Sequence, residues 1–358
     1  MPSFQEDIDC VVLWVDGSDP QWQHARAVSL AEINASGSLI QEKASGQRRY
    51  RDWNIFKYFF RAIETNSPWF NKIHLVTCGQ APKWLNVKHP KLCLVNHRDI
   101  FKDPSNLPVF NTNAIHANLL GIPNLSEKFV LFDDDLFILN QTLPNYFFEN
   151  EMPKDYIKYS KMSFRCEDSG WLSALYQTIE KMQSTFKVNK KELLGLPLIA
   201  PEYGMLLNCY NLFNFLRSFL QSRTIFTPLG IRHYPQPLLK QSLRAINQLF
   251  EKDIIKTSRH KFRHPEDITS YIYRYWHLLN KKFVPFFESP NILRMFSLRD
   301  YEALTEQVRS LKNGKVRFLC INDDAPNTTS ERDLAAMERL LTESMEKVFP
   351  KKSLFEIA

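Results

Sequence analysis

Residues 10–17, CVVLWVDG, set six apolar residues directly against an acid and a glycine. A short apolar run closed by a turn dipeptide reads as a buried strand. Residues 129–135, FVLFDDD, repeat the plan with three acids in place of the turn. Between the two, residues 52–64 place Ile55, Phe56, Phe59, Phe60 and Ile63 at helical spacing, and Pro68 follows. Residues 73–77 and 92–95 read as further strands and residues 111–120 as a helix. Strands alternating with helices predict βαβ units around a mostly parallel sheet. Ligands of such sheets bind beyond the carboxyl ends of the strands, which singles out Asp16 and Asp133.

Farther along, residues 36–49 are mostly polar, with Gly37 and Gly46, and read as a surface loop of the kind that serves as a lid. Residues 236–250 and 266–279 read as helices, residues 315–321 (KVRFLCI) as a last strand, and residues 329–348 as a closing helix. The expected fold is α/β: a Rossmann-like or GT-A-like, mostly parallel sheet flanked by helices, with a helical insertion and C-terminal helices. Residues 1–149 would form the nucleotide-sugar-binding part and 150–230 a mainly helical insertion. Residues 231–358 would complete the catalytic domain with a basic segment, the last strand and the closing helix.

The chain has 358 residues, 44% of them hydrophobic, enough for a large core. Its net charge of +7 is a mild excess that suits an anionic substrate, a membrane surface or an acidic polymer. It falls short of a nucleic-acid footprint, so no nucleic-acid partner is expected. The six cysteines include no C-x-x-C pair, and read as free thiols in a reducing compartment. The N-terminus lacks the pattern of a secretion signal, and no apolar run approaches the roughly 20 residues needed to span a bilayer. The expected location is the cytoplasm, with peripheral attachment to the inner membrane face or a capsule-assembly complex left open.

Asp133, Asp134 and Asp135 repel one another unless solvated or bound to a cation. Hard divalent ions prefer oxygen ligands, so the triplet reads either as a solvated turn, with Asp134 capping a helix, or as a metal site. Asn322 and Asp323 offer a weaker acidic end to the last strand. Asp16-Gly17-Ser18-Asp19 is a turn whose glycine would admit a phosphate or ribose. Arg232 and His233 lie in a proline-bounded loop, and residues 256–264 (KTSRHKFRH) are densely basic. Guanidinium groups match phosphate oxygens, so this run is either a solvated face or a pyrophosphate clamp. No dinucleotide fingerprint, P-loop or G-x-S-x-G motif occurs.

Taken together and in order, these motifs resemble the Stealth family of sugar-phosphate transferases. The resemblance rests on IDCVVLWVDGSDPQW (8–22); on Tyr50-Arg51-Asp52, IHLVTCGQAPKWL (73–85) and residues 110–137; on HYPQP (233–237) and KTSRHKFRHPEDI (256–268); and on FLCIND (318–323). The chain departs from the family pattern at Asp133, where asparagine is usual, at His116, where an acid is usual, and along residues 52–60. The resemblance implies transfer of an (N-acetyl)hexose 1-phosphate from a UDP-sugar to an acceptor sugar hydroxyl, in capsular or cell-surface polysaccharide synthesis, with UMP leaving. It implies Mg2+ or Mn2+ held by Asp133, Asp134, Asp135, Asn322 and Asp323. It also implies charge neutralisation by Arg263, with Arg259 assisting, and His233 as general base. Asp16, Gly17, Asp19, Trp14, Arg51 and Arg232 would line the donor site, and Gln80, Asn111 and Asn113 would orient sugar or phosphate. Two rivals remain: a metal-dependent GT-A-type glycosyltransferase releasing UDP, and a carbohydrate- or nucleic-acid-binding module without turnover.

Overall fold

The computed structural model describes residues 7–35, 46–161, 171–221, 226–231, 233–288, 292–309, 311 and 316–357. Four parallel strands carry the main sheet: β1 (Ile8–Leu13), β2 (Ile73–Thr77), β3 (Leu92–Asn96) and β4 (Lys128–Phe132), in the order β4-β1-β2-β3. β2 and β4 are buried along their whole length and β1 nearly so. That burial explains continuous rather than alternating apolar runs. After β4 the chain passes through the three aspartates into β5 (Leu136–Ile138), which belongs to a different sheet. The main sheet gains one antiparallel edge strand, β6 (Gln236–Leu239), against β4. The second sheet runs β7-β8-β5, with β7 (Leu293–Ser297) parallel and β5 antiparallel to β8 (Phe318–Asn322).

The main helices are α1 (Pro20–Ala35), α2 (Phe56–Asn66), α3 (Thr112–Ala117), α4 (Trp171–Thr185), α5 (Gly204–Leu220), α6 (Lys240–Leu249), α7 (Glu251–Arg259), α8 (Tyr271–Leu279), α9 (Tyr301–Arg309) and α10 (Glu331–Val348), with shorter turns between them. On α2, Phe56 stacks on Trp14 at 5.7 Å and Phe59 meets Phe132 edge-on at 5.4 Å. Arg61, buried on the same helix, donates to Glu346, Glu356 and the Phe349 carbonyl. The closing helix and the C-terminal segment are thereby tied to the sheet.

Three expected boundaries shift. α2 begins at Phe56 rather than Asp52, because the Asp52 carboxylate accepts from Asn54 N at 2.8 Å and Asn54 takes a positive φ of 55°. Residues 236–239 are strand, not helix. Pro237 has no N–H to offer a helix but is tolerated on a sheet edge, and β6 pairs with β4 alone. α8 starts at Tyr271, since residues 264–268 fold around the Asp267 carboxylate. Residues 150–230 hold α4, α5 and short strands. They share one core with the sheet: Leu175, Ile179 and Met182 of α4 cluster with Val11, Val76, Phe129 and Tyr275. The expected loop at 36–49 lies outside the described residues except for its last turn. Among the described residues Cys10, Cys78, Cys93, Cys209 and Cys320 are free, and no helix is long and apolar enough to cross a membrane.

Candidate active site

The Asp133–Asp135 turn joins the two sheets. Leu136 N donates to the Asp133 carbonyl at 3.2 Å, and Ile321 N donates to the Asp135 carbonyl at 3.0 Å, so β8 fixes where the turn ends. The chain enters a strand here, and Asp134 caps no helix. Asp135 Oδ2 accepts from Cys320 Sγ at 3.3 Å, while its Oδ1 is buried without a hydrogen-bond partner. His233 brings Nδ1 to 3.9 Å from Asp133 Oδ2. Ligand atoms of Asp135, His233 and Cys320 all lie within 4.8 Å of one another.

Burial, then the Asp133 charge, raises the Asp135 carboxyl to about 7. Asp134 is solvent-accessible yet ringed by protein atoms, as a group in an open cleft is. That crowding, then the charges of Asp135, Asp133 and Asp52, raises its carboxyl well above the usual range. Such repulsion is relieved by a cation. The orphaned Oδ1 and the adjacent carboxylates fit a hard divalent ion, which takes oxygen ligands.

Opposite this charge stands Arg263, on the loop after α7. Among the described residues it makes no ion pair or hydrogen bond. Burial lowers its guanidinium pKa, while Tyr50, Asp133 and Asp267 act in the other direction. The loop is held by the fully buried Asp267. Its Oδ2 accepts from Asn111 Nδ2 (2.8 Å), Asn113 Nδ2 (3.2 Å) and His264 N (3.0 Å), and its Oδ1 faces His260 Nδ1 at 2.7 Å. Buried His116 lies near both Asp133 and Arg263, and burial lowers its pKa to about 4.

Several expected substrate contacts turn out to build the site. Asn111 and Asn113 are buried with their amides on Asp267, and so position the Arg263 loop. Gln80 clasps the Asp16 peptide from both sides, accepting from its N–H at 2.9 Å and donating to its carbonyl at 3.1 Å. Trp14 is buried in the core against Phe56. At Gly17 an added Cβ would lie 1.8 Å from the Tyr50 carbonyl oxygen, so the close approach there is by protein backbone, not phosphate. Asp19 accepts from Trp22 N at 2.8 Å and caps α1. The carboxylate of Asp16 holds Ser18 through N and Oγ. Asp323 receives Arg51 Nη1 and Trp53 Nε1, each at 3.0 Å, and so is neutralised by an arginine. Asn322 is exposed at the end of β8, Arg259 is exposed at the end of α7, and Arg232 lies outside the described residues.

Sequence reasoning passed over Asp52, Asp267 and Cys320. Burial, then the charges of Asp16 and Glu338, raises the Asp52 carboxyl, which in turn acts on Asp134. Acids thus run from the end of β1 to the end of β4. Asp52 was hidden by the apolar helix pattern beside it, and Asp267 by the basic run before it.

The family models for Stealth protein conserved region 2 and conserved region 3 match residues 49–155 and 232–278. The capsular polysaccharide phosphotransferase WcwK of Streptococcus pneumoniae is 33% identical over 358 residues, covering 98% of each chain. The receptor polysaccharide phosphotransferase WefC of Streptococcus gordonii is 31% identical, covering 98% of this chain and 99% of that one. The exopolysaccharide phosphotransferase cps2G of Lactiplantibacillus plantarum is 29% identical, covering 98% and 96%. Among solved structures, the galactosyltransferase LgtC superimposes with a TM-score of 0.36 and 9% identity, covering 95% of this chain and 96% of that one. With conserved regions 2 and 3 in place and relatives that match it end to end, the chain belongs to the Stealth family.

Proposed function

We propose that this chain transfers an (N-acetyl)hexose 1-phosphate from a UDP-sugar to a hydroxyl of an oligosaccharide or polysaccharide acceptor. The reading is supported by the phosphotransferase relatives and carried by one observation. Acidic Asp133 and Asp135, His233 and Arg263, which makes no ion pair among the described residues, converge beyond the carboxyl end of β4. The acceptor oxygen attacks the phosphorus that bears the sugar, and the bond from that phosphorus to the bridging oxygen breaks. The electron pair leaves with UMP, and the hydroxyl proton passes to His233. Asp133, beside His233, stabilises the imidazolium so formed. Arg263 receives the phosphate oxygens and offsets the charge that builds on them. Asp133, Asp134 and Asp135 would hold a magnesium or manganese ion, which when bound neutralises pyrophosphate charge. The free cysteines support a reducing, cytoplasmic setting.

The test is the identity of the released nucleotide. The purified chain is incubated with UDP-sugars, magnesium and capsule-type oligosaccharides. UMP is expected, dependent on metal and lost in Asp135→Ala. UDP in its place would make the chain a glycosyltransferase. Near-normal turnover by His233→Ala would remove the base assignment. A loss of about 100- to 1000-fold is expected for Arg263→Ala, as for other donors aimed at developing charge.

A further inference from the structure

Helix α5 is inverted. A helix at a water-facing surface turns its apolar stripe inward and its polar face out. α5, with the sequence GMLLNCYNLFNFLRSFL, does the reverse. Asn211 is fully buried: its Oδ1 accepts from Tyr159 N at 2.8 Å, and its Nδ2 donates to the Ile157 and Leu198 carbonyls. Asn208 binds both N and O of Ala200, and Asn214 is buried as well. The inward face is therefore held by the amides of Asn208 and Asn211, with Leu207 and Ser218 buried beside them. The outward face carries Met205, Leu206, Phe213, Leu216 and Leu220, with Leu206 83%, Phe213 62% and Leu220 86% exposed.

The patch extends beyond the helix. Residues 198–200 run alongside it through the Asn208 and Asn211 bonds, and expose Ile199 next to them; Leu194, a few residues earlier, is 72% exposed. A continuous apolar surface of this kind on a folded chain marks a binding face.

The charges around it identify the occupant. α5 has no acidic residue and one basic residue, Arg217. Lys158 Nζ stands 5.2 Å over the ring of Tyr210 on the same helix. Lys161 is exposed on a short strand that packs against α5, and Lys187 and Lys191 are exposed just ahead of Leu194. Among the described residues, the exposed acids beside these lysines are Glu192 and Glu202. An apolar face without polar anchors, rimmed mainly by cations, fits the acyl–headgroup boundary of an anionic bilayer. The helix has 17 residues and does not qualify as a membrane span, so it would lie in the plane of the surface.

We infer that α5 is an interfacial helix that docks this protein on an anionic lipid surface through Leu206, Phe213, Leu216 and Leu220, with Lys158, Lys161 and Arg217 at the headgroups. This inference is independent of the transferase chemistry.

The experiment is flotation of the full chain with phosphatidylglycerol vesicles and, separately, phosphatidylcholine vesicles. Sedimentation of the chain alone is measured in parallel. Binding is expected to the anionic vesicles and to weaken with salt. The combined variant Leu206→Asp, Phe213→Asp, Leu216→Asp is expected to bind at least about 100-fold more weakly, and Phe213→Ala roughly tenfold more weakly. Both should still unfold cooperatively and within a few degrees of the wild type, because these side chains are mostly exposed. Phe213→Trp should shift its emission to the blue when phosphatidylglycerol vesicles are added and not without them. No flotation with either vesicle would overturn the inference, as would undiminished flotation of the combined variant. Self-association abolished by the combined variant, without vesicle binding, would assign the face to a second copy and equally overturn it.

Discussion

Gly17 and Asp133 both follow a main-sheet strand, yet they serve different ends. Asp133 faces His233, while Gly17 yields its space to the backbone of Tyr50. Gly17→Ala should therefore act on stability first. The methyl group would overlap the Tyr50 carbonyl, and backbone must shift to admit it. A loss of about 1–3 kcal/mol or more is expected, on the scale of overpacked sites, read as a lower midpoint in urea unfolding. The glycine was legible as special from its Asp-Gly turn, but its partner is 33 positions away in sequence and no local pattern reveals it. The same holds for Asn111 and Asn113. Their amides are suited to a sugar, and only the fold shows them turned to Asp267. The aspartate triplet was legible because three adjacent acids after an apolar strand have few peaceful uses. Asp323 was not, because its neutralising partner Arg51 comes from another part of the chain.

At the scale of elements, the loop between α7 and α8 is the critical piece, since it presents Arg263. It has no regular structure and is held by the Asp267 carboxylate, by Phe110 N on the Lys261 carbonyl and by the Asn111 amide on the His260 and Phe262 carbonyls. Asp267→Asn replaces an oxygen that accepts from three donors with a group that must itself donate. A stability loss of about 1–3 kcal/mol is expected from the unpaired buried groups, measured by thermal unfolding. Turnover should fall further than stability accounts for, because Arg263 loses its placement. Asn111→Ala should reproduce part of both effects. Strands and helices of the first 140 residues could be read from their periodicity, since each buries a recognisable face. β6 could not, because a four-residue edge strand that follows one proline and contains another carries no such period. The placement of α8 was displaced by a side-chain network that periodicity does not encode.

At the scale of the whole molecule, three histidines are buried uncharged around the part of the core that holds Ile100, Ile115 and Trp276. Burial lowers His97 and His116 to about 4 and His277 to about 3. In the unfolded chain these groups bind protons from about pH 6.5 downward. The folded form stays neutral until its own lower pKa is reached, so the unfolded state binds more protons in between. Stability is fully present above about pH 6.5 and falls as the pH drops toward about 4. The slope is up to about 1.4 kcal/mol per pH unit for each histidine. Asp134 and Asp135, whose raised carboxyls bind protons in the folded state over the same range, act in the opposite direction, so the histidine effect is read by comparison: the urea midpoint of His277→Met should fall less than that of the wild type between about pH 7 and about pH 5.

The aspartate turn is also the seam between the two sheets, with Asp135 anchored to Ile321 of β8 by one backbone bond. Side chains alternate along a strand, so a slip of one position between β5 and β8 would swing the Asp135 carboxylate to the opposite side. With Asp135 in its proposed role, activity would depend on the alignment of two strands to a single notch. The molecule could retain its folded mass and its core and still fall silent by missing that notch.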